Sequence, residues 1–258
     1  MATVNVSSWA EFKTAVAVAG DTVNLPEGAV WDLNTIEPTG TAALAINCAE
    51  INGNGTEITN MWSLGGITQS NGGTVNDLKF TNIVAKNNGA TTWMNIGGGT
   101  WNRCTLSAIM ESGFTAPVGG NGSGAFNFCS MNFDMSTSGI VTISSGANLT
   151  ACRMTLNAQN ASGFYTFSTS GTQATSCEFV IYTQSTGTFY TSPWESCTLR
   201  GEMPHISSLF GLGNPGVSIY CADDVNPSVS VLGLTGVTDA QMKSASYLQS
   251  INFTVRAG

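Results

Sequence analysis

Seven cysteines recur along this chain at a nearly fixed step, and no other feature constrains its fold as much. They stand at Cys48, Cys104, Cys129, Cys152, Cys177, Cys197 and Cys221, so the successive gaps are 56, 25, 23, 25, 20 and 24 residues. Reading the first gap as two steps of 28 leaves one cysteine about every 24 residues. A fixed period in the range of roughly 20–50 residues marks a repeat architecture.

The neighbourhood of each cysteine repeats as well. The chain reads RCTL at 103–106, FCSMNF at 128–133, ACRMTL at 151–156, SCEF at 176–179 and SCTL at 196–199. Two places after each cysteine stands an apolar residue: Leu106, Met131, Met154, Phe179 and Leu199. Alternate residues of a strand share a face. The cysteines and their partners are therefore predicted to point inward, and Thr105, Ser130, Arg153, Glu178 and Thr198 outward. VNDLKF at 75–80 fills the skipped step, with Asn76, Leu78 and Phe80 in one phase.

One short strand per step cannot bury its own apolar side, but stacked strands can, which makes a solenoid. Between residues 22 and 235 no stretch shows the 3.6-residue apolar stripe of a long helix. Short β-branched runs alternate instead with Gly, Asn and Ser clusters such as GGNGSG at 119–124. The expected fold is all-β, a single right-handed parallel β-helix over 1–258. Residues 1–21 form an N-terminal cap, 22–235 hold eight to nine turns, and 236–258 form a C-terminal helix–strand cap or docking element.

The cap rests on two helical stretches. Ser8 and Glu11 have capping-box spacing, and Trp9, Phe12, Ala15, Val16 and Ala19 make an apolar face that predicts a helix over 8–19, stopped at Gly20. Thr238 and Gln241 repeat that spacing ahead of a predicted helix at 238–249 and a strand at 251–255. Terminal elements of this kind close the ends of a solenoid.

Charged residues make up only 9% of the chain, against 42% hydrophobic, and the net charge is −8. The apolar content excludes a disordered chain, and eight basic residues speak against a nucleic-acid partner. An odd cysteine count at one site per turn predicts reduced, buried thiols rather than disulfides. No paired-cysteine motif accompanies the single His205, so neither a zinc site nor any other cofactor is expected. The opening MATVNVSSWAEF has no basic or apolar leader region, and no run is apolar enough to span a membrane. Synthesis in a host cytoplasm, without a membrane partner, is the expectation.

Two stretches carry a family resemblance. SSWAEFKTAVAVAGDTVNLPEGAVWDLN, followed by INGNG at 51–55, resembles the opening of the pectate-lyase-like parallel β-helix superfamily. The tail GVTDAQMKSASYLQSINF resembles a segment found near β-helical repeats of bacterial surface proteins. The superfamily includes polysaccharide lyases, glycoside hydrolases, phage tailspikes and non-catalytic virion proteins. Its lyases set calcium-binding carboxylates beside a basic residue, a constellation this sequence does not display.

The candidate carboxylates are Asp223 with Asp224, and Asp134 with Glu111 or Asp77. A calcium cage or a glycosidase pair needs carboxylates that converge, and these read as turn and surface residues. Trp31, Trp62 and Trp93 recur at 31-residue steps and are the candidate contacts for a partner or a glycan. The expected function is non-enzymatic: a phage virion component, either a capsid decoration protein or a short spike, held as an oligomer against other virion proteins and touching a host glycan. The alternatives are a polysaccharide lyase or depolymerase and a bacterial surface adhesin.

Overall fold

A three-residue strand with one inward side chain is the unit of this structure. Thr22–Asn24, Glu50–Asn52 and Thr74–Asn76 each bury only the middle residue, Val23, Ile51 or Val75. Such a strand gains its stability from the strands above and below it. The computed structural model describes residues 1–40, 44–63, 66–85, 95–110, 124–134, 140–143, 147–159, 163–166, 173–183, 189–190, 194–195, 197–202, 209–210, 219–222 and 235–237. Within them the chain is a parallel β-solenoid.

The first sheet has nine strands, running Thr3–Asn5, Thr22–Asn24, Glu50–Asn52, Thr74–Asn76, Gly99–Asn102, Gly124–Asn127, Asn148–Thr150, Gln173–Thr175 and Trp194–Glu195. Every pairing in it is parallel, and each strand comes from the next coil of the chain. The second sheet has eleven strands, beginning at Val30–Asp32 and ending at Thr235–Val237. Shorter parallel ladders, of which Leu44–Ile46, Gly66–Gln69 and Asn95–Gly97 form the first, make up the remaining side.

Two apolar columns line the interior of the second sheet. Trp31, Ile58, Phe80, Leu106, Met131, Met154 and Phe179 stack in register, and Ile83, Ala108, Phe133, Leu156 and Ile181 stack beside them. All are buried. Across the core, Val23, Ile51, Val75, Trp101, Phe126, Leu149 and Ala174 form the column of the first sheet, and Trp101 stacks on Phe126 with ring centroids 6.0 Å apart. The outward Arg153 and Glu178 are not isolated charges. They pair across adjacent layers at 3.2 Å.

Helix α1 (Trp9–Val16) is shorter than the sequence suggests. Ser8 caps it by accepting from the Glu11 N–H, but the Glu11 carboxylate reaches past the cap residue to the Ser7 N–H at 2.7 Å. The helix ends at Val16 because its carbonyl accepts from the Asn47 and Cys48 N–H groups, at 2.7 and 3.1 Å. Ala19 is exposed, outside the packed face. The sheet also begins before the helix: Thr3–Asn5 pairs with Thr22–Asn24, so α1 is a crossover within the solenoid. Its buried Trp9 and Phe12 lie against one another, and Phe12 meets Trp31. A single helical turn, α2 (Leu33–Ile36), is the one other helix among the described residues, started by Asp32 accepting from the Asn34 N–H. The predicted helix at 238–249 and strand at 251–255 lie outside the described residues.

One residue makes the bend between the first and second sheets. Asp77, Arg103, Phe128, Ala151 and Ser176 occupy equivalent places, all with φ between 50° and 56°. A non-glycine residue there gives up about 1–2 kcal/mol. Each of the first four N–H groups donates to a carbonyl of the next layer, at 2.9–3.0 Å, so the ladder runs through the bend unbroken. In the INGNG element the bend is built differently. A Cβ on Gly53 would lie 2.6 Å from the Asp77 carbonyl oxygen, and only glycine lets the layers approach there.

Candidate functional site

The strongest polar feature of the described residues is a ladder of asparagines. Asn5, Asn24, Asn52, Asn76, Asn102 and Asn127 hold one column at the end of the first sheet's strands. Each side-chain amide donates to the Oδ1 of the layer before it: Asn24 to Asn5 at 2.9 Å, Asn52 to Asn24 at 3.0 Å, Asn76 to Asn52 at 3.3 Å, Asn102 to Asn76 at 2.9 Å and Asn127 to Asn102 at 2.9 Å. Parallel stacking in register makes this possible, since an amide carries a donor and an acceptor that repeat with the layer. The sequence signal is TVN at 3–5, 22–24 and 74–76, with EIN, TWN and AFN between and after. Attention to the cysteine period alone misses it.

Two residues after this column stands a second, made of thiols. Cys104, Cys129, Cys152, Cys177 and Cys197 occupy successive layers, as the register of Thr105, Ser130, Arg153, Glu178 and Thr198 requires. All five are buried thiols. The Cys104 thiol donates to the Asn102 and Val75 carbonyls at 3.4 and 3.5 Å, Cys129 to Asn127 and Trp101 at 3.4 Å, and Cys152 to Thr150 and Phe126 at 3.4 and 3.2 Å. Cys177 donates to Thr175, and Cys197 to Ala174, both at 3.3 Å. A small side chain with a weak donor suits this position. It fills the corner and satisfies carbonyls that the left-handed bend turns inward.

Two cysteines stand outside that column. Cys48 precedes a strand of the first sheet instead of following one, and its main chain ties the helix to the coil: its N–H caps Val16, and its carbonyl accepts from Gln69 Nε2 at 2.8 Å. The 56-residue first gap is therefore not two equal steps. Thr56 and Leu78 take the two earlier places in the thiol column. Cys221 pairs with Leu199, while Ile219 pairs with Cys197, so it is displaced from the column by two residues.

The thiols differ electrostatically. Hydrogen bonding with Cys129, then burial, pushes Cys104 up; bonding with Cys129 and Cys177, then burial, does the same to Cys152. Cys129 shifts the other way, downward, through its hydrogen-bonding contacts with the neighbouring Cys104 and Cys152 thiols. A bond from Cys152 lowers Cys177, but Cys197 and burial outweigh it and the net direction is up. Burial pushes Cys48 up to about 11.

The tryptophans do not form one column. Trp31 is 7% exposed and points into the core beside Phe12, whereas Trp62 is 40% exposed. Trp62 aligns with Val84, and Val84 with Ile109, which is 49% exposed. These three give the second sheet an apolar outer stripe across three layers. Trp93 lies outside the described residues, as do Glu111, His205, Asp223 and Asp224. Asp77 is held by Arg103 through two bonds of 2.6 and 2.7 Å, whereas Asp134 sits on the second sheet opposite Ile109 and accepts from Asn157. The two belong to different columns. Among the described residues no three His, Cys, Asp or Glu side chains converge as a metal cage would require.

A groove of about 490 Å³ opens over the first layers, lined by Asn5, Asn24, Asn52 and Asn54 with Val6, Leu25 and Pro26. Asn54 donates to the Leu25 carbonyl at 2.8 Å. Among the described residues no helix is long and apolar enough to cross a membrane. No protein-family model, no curated protein and no solved structure matches this chain.

Proposed function

We propose that this chain is a non-enzymatic structural component of a phage virion, a capsid decoration protein or short spike of the pectate-lyase-like type, attached to other virion proteins. The observation that carries the reading is the Trp62–Val84–Ile109 stripe. Exposed Trp62 and Ile109 on either side of a half-buried Val84 suit contact with another protein, where the centre of an interface is apolar and aromatic. The ladders support the same reading. Asparagine amides and thiols bond from layer to layer, which suits a part that must hold its shape. The Arg103–Asp77 and Arg153–Glu178 pairs likewise run between layers.

The test is cryo-electron microscopy of the particle that co-purifies with the chain from its native lysate, repeated with Trp62→Ser and Ile109→Ser together. Ordered copies on a head or tail, lost in the double variant while the free protein keeps its melting temperature, are the expected result. A chain found only free in solution would overturn the reading.

The groove favours a second reading, a glycan-contacting adhesin or spike tip. Its amides each keep a donor and an acceptor beyond the ladder, and its lining carries no charge. Binding of neutral oligosaccharide that disappears in Asn52→Ala would support it. Cleavage of a polysaccharide by the purified chain would instead favour the lyase alternative.

A further inference from the structure

The five stacked thiols match one ligand geometry and miss another. Neighbouring layers of a sheet repeat at about 4.8 Å. In a parallel stack held in register, the Cβ atoms of adjacent cysteines repeat at that same spacing. A disulfide needs its Cβ atoms about 3.5–4.5 Å apart, so the column resists oxidation in place. A two-coordinate metal ion needs its sulfurs twice a metal–sulfur bond apart. The sulfur bond of tetrahedral zinc is about 2.3 Å, and a two-coordinate bond is shorter, so that span is about 4.6 Å at most.

We propose that adjacent thiols of the Cys104–Cys129–Cys152–Cys177–Cys197 column form linear two-sulfur sites for a soft monovalent cation of the Cu(I) class. Soft thiolates select Cu(I) over harder ions. A linear site needs two ligands, so the missing three-ligand cage does not exclude it. The buried thiols reach the site already aligned, each oriented by carbonyls at 3.2–3.5 Å.

The step balances without an oxidant. Each ion forms two S–Cu bonds, and the two thiol protons leave for solvent. The centre then carries one negative charge. Five sulfurs in a row hold at most two such ions, because each ion takes two neighbours.

Adjacency supplies the test. The native chain is equilibrated anaerobically with Cu(I) supplied from a coloured chelator, and the bound metal is counted. The expected count is two per chain. Cys48→Ala keeps two, because Cys48 lies outside the column. Cys129→Ala leaves one, since Cys104 is then isolated and the other three form one pair. The double variants decide the matter: Cys129→Ala/Cys177→Ala leaves three cysteines with no neighbours and binds none, while Cys104→Ala/Cys197→Ala leaves three in a row and binds one. Circular dichroism of each variant establishes that it is folded, and the native, Cys48→Ala and Cys129→Ala counts decide the matter if a double variant does not fold. No binding to the folded native chain, or equal loss in variants with equal numbers of cysteines, would overturn the proposal.

Discussion

Asn102 links three layers: its amide donates to Asn76 at 2.9 Å, and its Oδ1 accepts from Asn127 at 2.9 Å. Asn102→Ala removes both bonds and leaves two half-buried partners unsatisfied, which costs about 1–3 kcal/mol. Asn102→Asp keeps the shape but turns a carboxylate oxygen toward the Asn76 oxygen. Its folded pKa is expected to rise, so the folded state holds its proton more tightly and the variant regains stability as pH falls. Urea denaturation at pH 7 and pH 4 measures both effects. Equal midpoints for wild type and Asn102→Ala would mean that the ladder contributes nothing.

The thiol column and its outer neighbour predict opposite sensitivities one residue apart. Cys152→Asp places a carboxylate where an apolar wall meets backbone carbonyls, and a loss of several kcal/mol is expected. Arg153→Ala removes an exposed partner of Glu178 and should change stability by less than about 1 kcal/mol. Ellman's reagent applied to the native chain should leave the six buried cysteines Cys48, Cys104, Cys129, Cys152, Cys177 and Cys197 unreacted over minutes. Rapid reaction at most of them would contradict their burial.

Glu11 gives the N-terminal helix a pH dependence. Hydrogen bonds from the Ser7 backbone and hydroxyl hold its carboxyl below the usual range, outweighing desolvation, and the Ser8 N–H adds a smaller pull in the same direction. A depressed folded pKa contributes stability that is present above the unfolded value and lost as pH falls through the folded one. The wild type should therefore lose more of its melting temperature than Glu11→Gln between pH 6 and pH 3. An identical slope for both would show that the cap is not protonation-linked.

Gly53 and Gly55 separate crowding from backbone strain. Gly53→Ala drives a methyl to within 2.6 Å of backbone and should cost about 1–3 kcal/mol or more. Gly55→Ala meets open space and loses only the left-handed preference at φ 76°, about 1 kcal/mol. Thermal melts of the two variants rank them, and a reversed order would contradict the close approach of the layers.

The parallel solenoid was legible because a fixed period and the alternation after each cysteine are both local signals. Leu106, Met131, Met154 and Phe179 face inward and Ser130 and Arg153 outward, as alternation dictates. Register was less legible. Cys48 and Cys221 fit the period yet fall outside the column, because coils of unequal length change which corner a residue reaches. The tryptophan steps failed for the same reason: equal spacing cannot tell Trp31 inside from Trp62 outside when a bend lies between them. The strand before α1 was missed since three residues carry no period of their own, and only its pairing with Thr22–Asn24 defines it.

The bend residues have a further consequence. Asp77, Arg103, Phe128, Ala151 and Ser176 share one backbone shape while their side chains share nothing in charge, size or polarity. The fold thus demands a conformation at this place but leaves the chemistry open. Evolution can rewrite that edge, one letter per coil, without reshaping the coil beneath it.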